Sequence, residues 1–177
     1  MDTDLGLDSD RRARPLSDFP ALAQAAVGLL RTPTALVELT ADDAQRVVSY
    51  LWAVAYKSGA TVMAEGDSAR TGFMLLLLSG EVSVQTDGID GAVISVLGAG
   101  HLIGEMGLID GAPRSTHCVT VSRVEAGVLT RAGLNKLIAE HPAVGARLMV
   151  AIAQRLAERL RAAGDQLRML TQLRPGH

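Results

Sequence analysis

Between Trp52 and Thr130 the chain is cut into short stretches rich in Val, Ile and Leu by glycines at 59, 66, 72, 80, 88, 91, 98 and 100. Short apolar runs bounded by Gly, Asp and Ser read as antiparallel strands joined by tight reversals. Ser79-Gly80 separates LLLL from EVSV, and Asp87-Gly88 with Asp90-Gly91 lies between EVSVQT and AVISVL. Many short strands in succession imply a jelly-roll barrel, that is, a double-stranded β-helix.

Helical texture flanks this region on both sides, so the expected class is α+β. Leu16 to Arg31 is rich in Ala and Leu, with Ser17 or Asp18 and Pro20 offering a capped start and Pro33 an end. Thr40 opens a second, three-turn helix with acids in its first turn and Val47, Val48 and Leu51 on one face. After Arg131 a short helix through Leu134, Leu137 and Ile138 breaks at His141-Pro142, and a long one runs from Pro142 to about Leu173. The expected divisions are a disordered lead at 1–15, N-terminal helices at 16–51, the barrel at 52–130 and C-terminal helices at 131–173.

Two stripes mark the long helix. Met149, Ala153, Leu156, Leu160, Ala163, Leu167 and Leu170 recur at alternating four- and three-residue steps, a heptad seam that a parallel partner helix would bury. Val144, Leu148 and Ile152 form a second stripe, so one flank can cover the barrel while the seam meets another subunit. A homodimer through the C-terminal helix is the expectation. Gly164 interrupts the seam's flank at a cost of up to about 1 kcal/mol against Ala.

Composition excludes several classes. A net charge of −2 and 3% aromatic residues do not suit a general nucleic-acid surface, which needs basic residues and stacking rings. Cys118 is the only cysteine, so neither an internal disulfide nor a cysteine-rich zinc cluster can form, as suits a reducing cytoplasm. The N-terminal residues mix charges and lack the apolar core of a secretion signal. The longest wholly apolar run, Phe73 to Leu78, is far below the roughly 20 residues that cross a bilayer. A cytoplasmic protein with no membrane partner is expected.

The chemistry concentrates between Gly104 and Thr116, within LIGEMGLIDGAPRSTHCVT. A single helical turn at Gly104 to Ile109 would leave first-turn N–H groups unpaired and facing an anion. Arg114 adds a permanent charge and a forked donor suited to phosphate oxygens. Ser115 and Thr116 add hydroxyls, and Pro113 restrains the chain before Arg114. Glu105 would repel a phosphate unless it served another group, and a sugar hydroxyl answers that need. A single phosphate fused to a ribose has this layout. The structural alternative is an exposed Glu105–Arg114 ion pair worth about 0 to 1 kcal/mol.

At these residues the sequence resembles the cyclic-nucleotide-binding domain family, whose phosphate-binding cassette reads Gly-Glu-(Leu/Met)-(Ala/Gly)-Leu and then Pro-Arg-(Ser/Thr/Ala)-(Ala/Thr). Here Gly104-Glu105-Met106-Gly107-Leu108 is followed by Pro113-Arg114-Ser115-Thr116. The turn Glu65-Gly66-Asp67, the LLLLSGEVSV hairpin and the LGAGHLIGE approach are similar to the family pattern too, so the likeness covers about residues 36 to 172. The resemblance implies a ligand, cAMP foremost and otherwise cGMP or another cyclic nucleotide. It implies that Glu105 accepts from the ribose 2′-OH and that Arg114 pairs with the cyclic phosphate. Gly104, Met106 and Gly107 would supply close backbone approach, and Ser115 a bond to a phosphate oxygen. Thr116, where many members have Ala, completes the set. At the base end the resemblance would place Thr and Ser on the long helix, where this chain has Arg159 and Leu160; no Trp or Tyr follows residue 56. A guanidinium from Arg159 or Arg155 is the expected substitute for a stacking ring.

Three rivals accompany this reading. A jelly roll whose nucleotide binding has been lost would serve as a protein-interaction module. A cupin-like metalloenzyme would use His101 and Glu105, but a third ligand is missing, since His117 and Cys118 are adjacent on a strand and point to opposite faces. DNA binding is the third. Family relatives carry a helix-turn-helix behind the long helix, whereas this sequence stops at His177, so no DNA-binding domain is expected. With neither a catalytic triad nor paired carboxylates in evidence, the expectation is a sensor acting on an unidentified protein partner rather than an enzyme.

Overall fold

A computed structural model of the chain describes residues 13–36, 38–87 and 92–172. In order, β1 (Arg14–Pro15), a 3-10 turn (Leu16–Asp18), α1 (Pro20–Leu30) and α2 (Ala41–Val48) precede the barrel. The barrel strands are β2 (Trp52–Tyr56), β3 (Thr61–Met63), β4 (Phe73–Ser79), β5 (Val82–Gln85), β6 (Val93–Leu97), β7 (Leu102–Ile103), β8 (His117–Thr120) and β9 (Val124–Thr130). Helix α3 (Glu105–Asp110) interrupts them between β7 and β8, and α4 (Arg131–Glu140) and α5 (Pro142–Gln172) follow.

Two antiparallel sheets face each other, one ordered β1-β2-β9-β4-β7 and the other β3-β8-β5-β6. Strand β4 explains the longest apolar run. Phe73, Leu75 and Leu77 pack between the sheets with Val54, Val82 and Val128. Met74, Leu76 and Leu78 pack outward against Leu30, Val47, Leu137, Leu148 and Ile152 of the helices. Because strand side chains alternate, a strand covered on both faces reads as an unbroken apolar run. The jelly-roll barrel with N-terminal helices and a long C-terminal helix is the architecture of the chain.

Several local expectations change. Pro20 is the first residue of α1 as expected, but its cap is Phe19 without a side-chain bond, so neither Ser17 nor Asp18 serves. Thr40 does cap α2, accepting from the Asp43 N–H at 3.2 Å, and that helix has eight residues, about two turns rather than three. Arg14 and Pro15, expected in a disordered lead, pair with Ala53 and Trp52 at the edge of the first sheet. The rest of that lead up to residue 12, the reversals at Gly88 and at Asp90-Gly91, and Leu173 lie outside the described residues.

Helix α5 starts at Pro142, where a missing N–H costs nothing. Its Val144, Leu148 and Ile152 are buried against the barrel, and Met149 and Leu156 of the seam are half-buried against the same core. Further along, Leu160 and Leu167 are 75% and 64% exposed. Asp43 of α2 accepts from Arg147 Nε and Nη2 at 2.8 and 2.6 Å, which pins the start of α5 to the N-terminal helices. Among the described residues no helix is long and apolar enough to cross a membrane.

Candidate ligand-binding site

Strand β7 delivers the chain to Gly104, whose φ of 80° lies in the left-handed region that a side chain disfavours. A Cβ there would strike the Met63 methyl and stand 2.7 Å from Arg114 Nη1. One turn on, a Cβ at Gly107 would stand 3.0 Å from the same Nη1 and 3.1 Å from the Thr71 carbonyl oxygen. The two glycines of the motif therefore leave the room into which one guanidinium fits.

Arg114 is buried and satisfies three backbone carbonyls. Its Nε donates to Arg70 O at 3.0 Å, Nη1 to Gly104 O at 2.8 Å and Nη2 to Phe73 O at 2.9 Å. The guanidinium also stacks on the Phe73 ring, 4.5 Å from its centroid. Burial pulls its pKa below the usual arginine range, opposed by the neighbouring Cys118, Asp67 and Glu105. The same bonds tie the loop after α3 to the residue before it. A guanidinium carries five N–H donors, so these three bonds leave Arg114 with capacity for an anion beside Gly104.

Glu105, the first residue of α3, is buried too, but its partner is Arg159 of α5, not Arg114. The exposed Glu105–Arg114 pair is thus ruled out on both counts. Arg131, at the start of α4, donates Nη2 to Gly107 O at 2.9 Å and Nη1 to Ile109 O at 3.4 Å. A cation on the last carbonyls of a short helix is favourable in both charge and hydrogen bonding.

All seven residues singled out in the sequence, Gly104 to Gly107 and Arg114 to Thr116, line one cavity. Met63, Val84, Leu97, Ile103 and Cys118 form its apolar wall, and Arg159 reaches in from α5. Its volume is about 80 Å³. Burial pushes the Cys118 thiol up to about 11. Of the two base-end candidates only Arg159 reaches this cavity. Arg155 pairs with Glu158 at 3.2 Å and lines a separate groove with Pro33 and Leu36. The carbonyl contacts of Arg114 and the part played by Arg131 were missed in the sequence, because both depend on long-range folding and no motif marks them.

The metal expected of a cupin finds no support at His101, whose Nδ1 lies 3.0 Å from Gly98 O and which does not line the cavity. A different trio, Glu65, Asp87 and His117, brings one ligand-type atom each within 4.8 Å of the others. Its members already bond one another. The Glu65 N–H donates to His117 Nδ1 at 3.2 Å and Nε2 meets Asp87 Oδ1 at 2.8 Å, while the Asp87 N–H donates to Glu65 Oε2 at 2.8 Å. With Nδ1 accepting, the ring proton sits on Nε2, whereas a metal-bound imidazole needs its other nitrogen to donate. The trio ties Asp87, just after β5, to His117 of β8 and to Glu65.

Residues 53–141, half of the chain, match the family model described as the cyclic nucleotide-binding domain. A CRP-like cAMP-activated global transcriptional regulator of Mycobacterium tuberculosis is 28% identical over 137 residues, 76% of this chain and 57% of the relative. A cyclic AMP receptor protein of Thermus thermophilus is 30% identical over 122 residues, 68% of this chain and 56% of the relative. The chain thus spans little more than half the length of these curated relatives. The crystal structure of a cyclic nucleotide-binding domain from Methylobacillus flagellatus is 29% identical, with a TM-score of 0.73 over 88% of this chain and 86% of that one.

Proposed function

The chain belongs to the cyclic nucleotide-binding domain family, and from that premise we propose that it is a cytoplasmic regulatory protein that captures cAMP beside α3 without transforming it. The observation that carries this reading is the meeting of Glu105 and Arg114 in one cavity, both buried and each paired with a group other than the other. A buried acid and a buried base held apart suit a ligand with a hydroxyl at one end and an anion at the other. Arg114 offers its remaining donors to the cyclic phosphate, with Ser115 beside it, and Glu105 accepts from the ribose 2′-OH. Gly104 and Gly107 let the sugar-phosphate approach the backbone.

A volume of about 80 Å³ is below the ~300 Å³ of an ordinary small-molecule site. In this reading the sugar-phosphate lies inside and the base toward α5. Recognition of the base would then fall to the helix whose seam is bare at Leu160 and Leu167, and in the same reading the seam pairs with a second copy of the chain. Ligand capture then shifts the population of α5 positions, and a partner protein reads the change. The adenine assignment follows the cAMP in the name of the Mycobacterium tuberculosis relative.

Calorimetric titration with cAMP, cGMP and a cyclic dinucleotide tests the proposal, with cAMP expected to bind most tightly. Three silent titrations would favour a second reading, a jelly roll that serves as an interaction module. That reading has one observation of its own, since three Arg114 donors are already held by carbonyls.

A further inference from the structure

We infer that Arg159 is the positioning residue for Glu105: it holds that carboxylate ready for the ribose and carries the sugar's arrival to α5. The inference rests on the cyclic-nucleotide reading of the cavity. Glu105 has only 4% of its side chain exposed, and Arg159, half in solvent at 50%, supplies the cation beside it. A carboxylate removed from water needs both charge compensation and hydrogen bonds. Arg159 Nη1 engages Oε1. A carboxylate accepts at two oxygens, so Oε2 is the atom offered to a sugar hydroxyl.

Two arguments favour sharing over displacement. A neutral hydroxyl that replaced Arg159 would leave Glu105, with only 4% of its side chain exposed, a weaker partner and no counter-charge, a poor exchange for a buried carboxylate. Charge balance points the same way. With Arg159 in place the two guanidiniums exceed the one buried carboxylate by a single positive charge, which one cyclic phosphate neutralises. With Arg159 expelled, the bound complex would carry an uncompensated negative charge. Asp110 at the rim is exposed and screened by water, so it does not alter this comparison.

The pair also joins distant parts of the chain, since Arg159 lies 54 residues beyond Glu105. Its neighbour in sequence, Leu160, is a seam residue with 75% of its surface exposed. A ribose that bonds Glu105 orders the Glu105–Arg159 contact, and by reciprocity an α5 position that strengthens this contact tightens the sugar.

The experiment measures affinities of 3′,5′-cAMP and its 2′-deoxy analogue for the wild type and for Arg159→Gln, Arg159→Lys and Glu105→Gln. The wild type should prefer the ribose form by roughly tenfold or more, the scale of a hydrogen bond to a charged group. Arg159→Gln should bring that preference close to the small value of Glu105→Gln, and Arg159→Lys should restore part of it. A loss of fold stability alone would weaken both ligands together and leave the ratio unchanged. A wild-type preference that survives in Arg159→Gln overturns the inference, as does tighter binding by Arg159→Gln, which would mean that Arg159 competes with the sugar. A wild type that binds both ligands equally removes the ribose role of Glu105. A wild type that binds neither removes the cyclic-nucleotide reading itself.

Discussion

Arg114 Nη1 donates to the Gly104 carbonyl across 2.8 Å, so the side chain that closes the loop holds the residue that opens it. Arg114→Ala removes three hydrogen bonds, one from the buried Phe73 carbonyl and two from the half-buried Arg70 and Gly104 carbonyls, and stability should fall by about 2 to 4 kcal/mol in chemical denaturation, together with loss of cyclic-nucleotide affinity. Arg114→Lys keeps the charge but cannot reach three carbonyls in a fork. It should fold more stably than the alanine variant and bind at least roughly tenfold more weakly than wild type. Unchanged affinity in both variants would place the ligand elsewhere.

Gly104 sits where the chain must turn left-handed and where a side chain would meet Met63 and Arg114. Gly104→Ala should therefore cost about 1 to 2 kcal/mol for the backbone alone, with more from the contacts. Because the collision pushes on Arg114 Nη1, affinity should fall alongside the melting temperature. Gly28, where an added Cβ meets nothing within 4 Å, is the control, since Gly28→Ala within α1 should be neutral or stabilising by about 0.5 to 1 kcal/mol.

The hydrogen bonds from Arg147 hold the Asp43 carboxyl at about 2, down from 3.8, against the opposing effect of burial. The folded pKa is below the unfolded one, so the pair's contribution is complete above pH ~4 and is lost as pH falls toward about 2. Asp43→Asn should lower stability at pH 7 by about 1 to 2 kcal/mol, less than a fully buried pair because Arg147 is half exposed. At pH 2 the variant and the wild type should differ little. An equal difference at both pH values would show that the charge is not what matters.

Much of this was legible in the sequence, for identifiable reasons. Glycine-bounded apolar runs and the helical period are local signals, and they pointed to the barrel strands, α4 and α5. The cassette is compact, so its residues announced themselves as a group. What stayed hidden depends on chain segments far apart in sequence. The partner of Glu105 lies on α5, and the carbonyls that Arg114 satisfies belong to Arg70, Phe73 and Gly104. Phe19 as the cap of α1 was hidden for another reason, since that position forms no side-chain bond that a sequence preference could reveal.

Cys118 forms part of the cavity wall, with its thiol pushed up to about 11 by burial. Only the thiolate is alkylated, so iodoacetamide at pH 8 should modify the folded protein far more slowly than the unfolded one. In the cyclic-nucleotide reading the bound ligand covers this wall, and a saturating nucleotide should slow the reaction further. Mass spectrometry of timed samples reads both effects. Modification at the unfolded rate would mean that the wall is open to solvent.

Leu160 and Leu167 stand one heptad apart on α5 and are mostly exposed, while Met149 and Leu156 earlier in the seam already touch the core. A single helix has no use for two bare leucines at that spacing, but a parallel partner buries each at a gain of about 1.5 to 3 kcal/mol. The chain should therefore sediment as a dimer at micromolar concentration, and Leu160→Glu with Leu167→Glu should yield a monomer. Neither residue belongs to the core clusters of the described residues, and both are mostly exposed, so the melting transition of the barrel should survive the double substitution. A wild type that remains monomeric at the highest attainable concentration would leave the seam without its second copy.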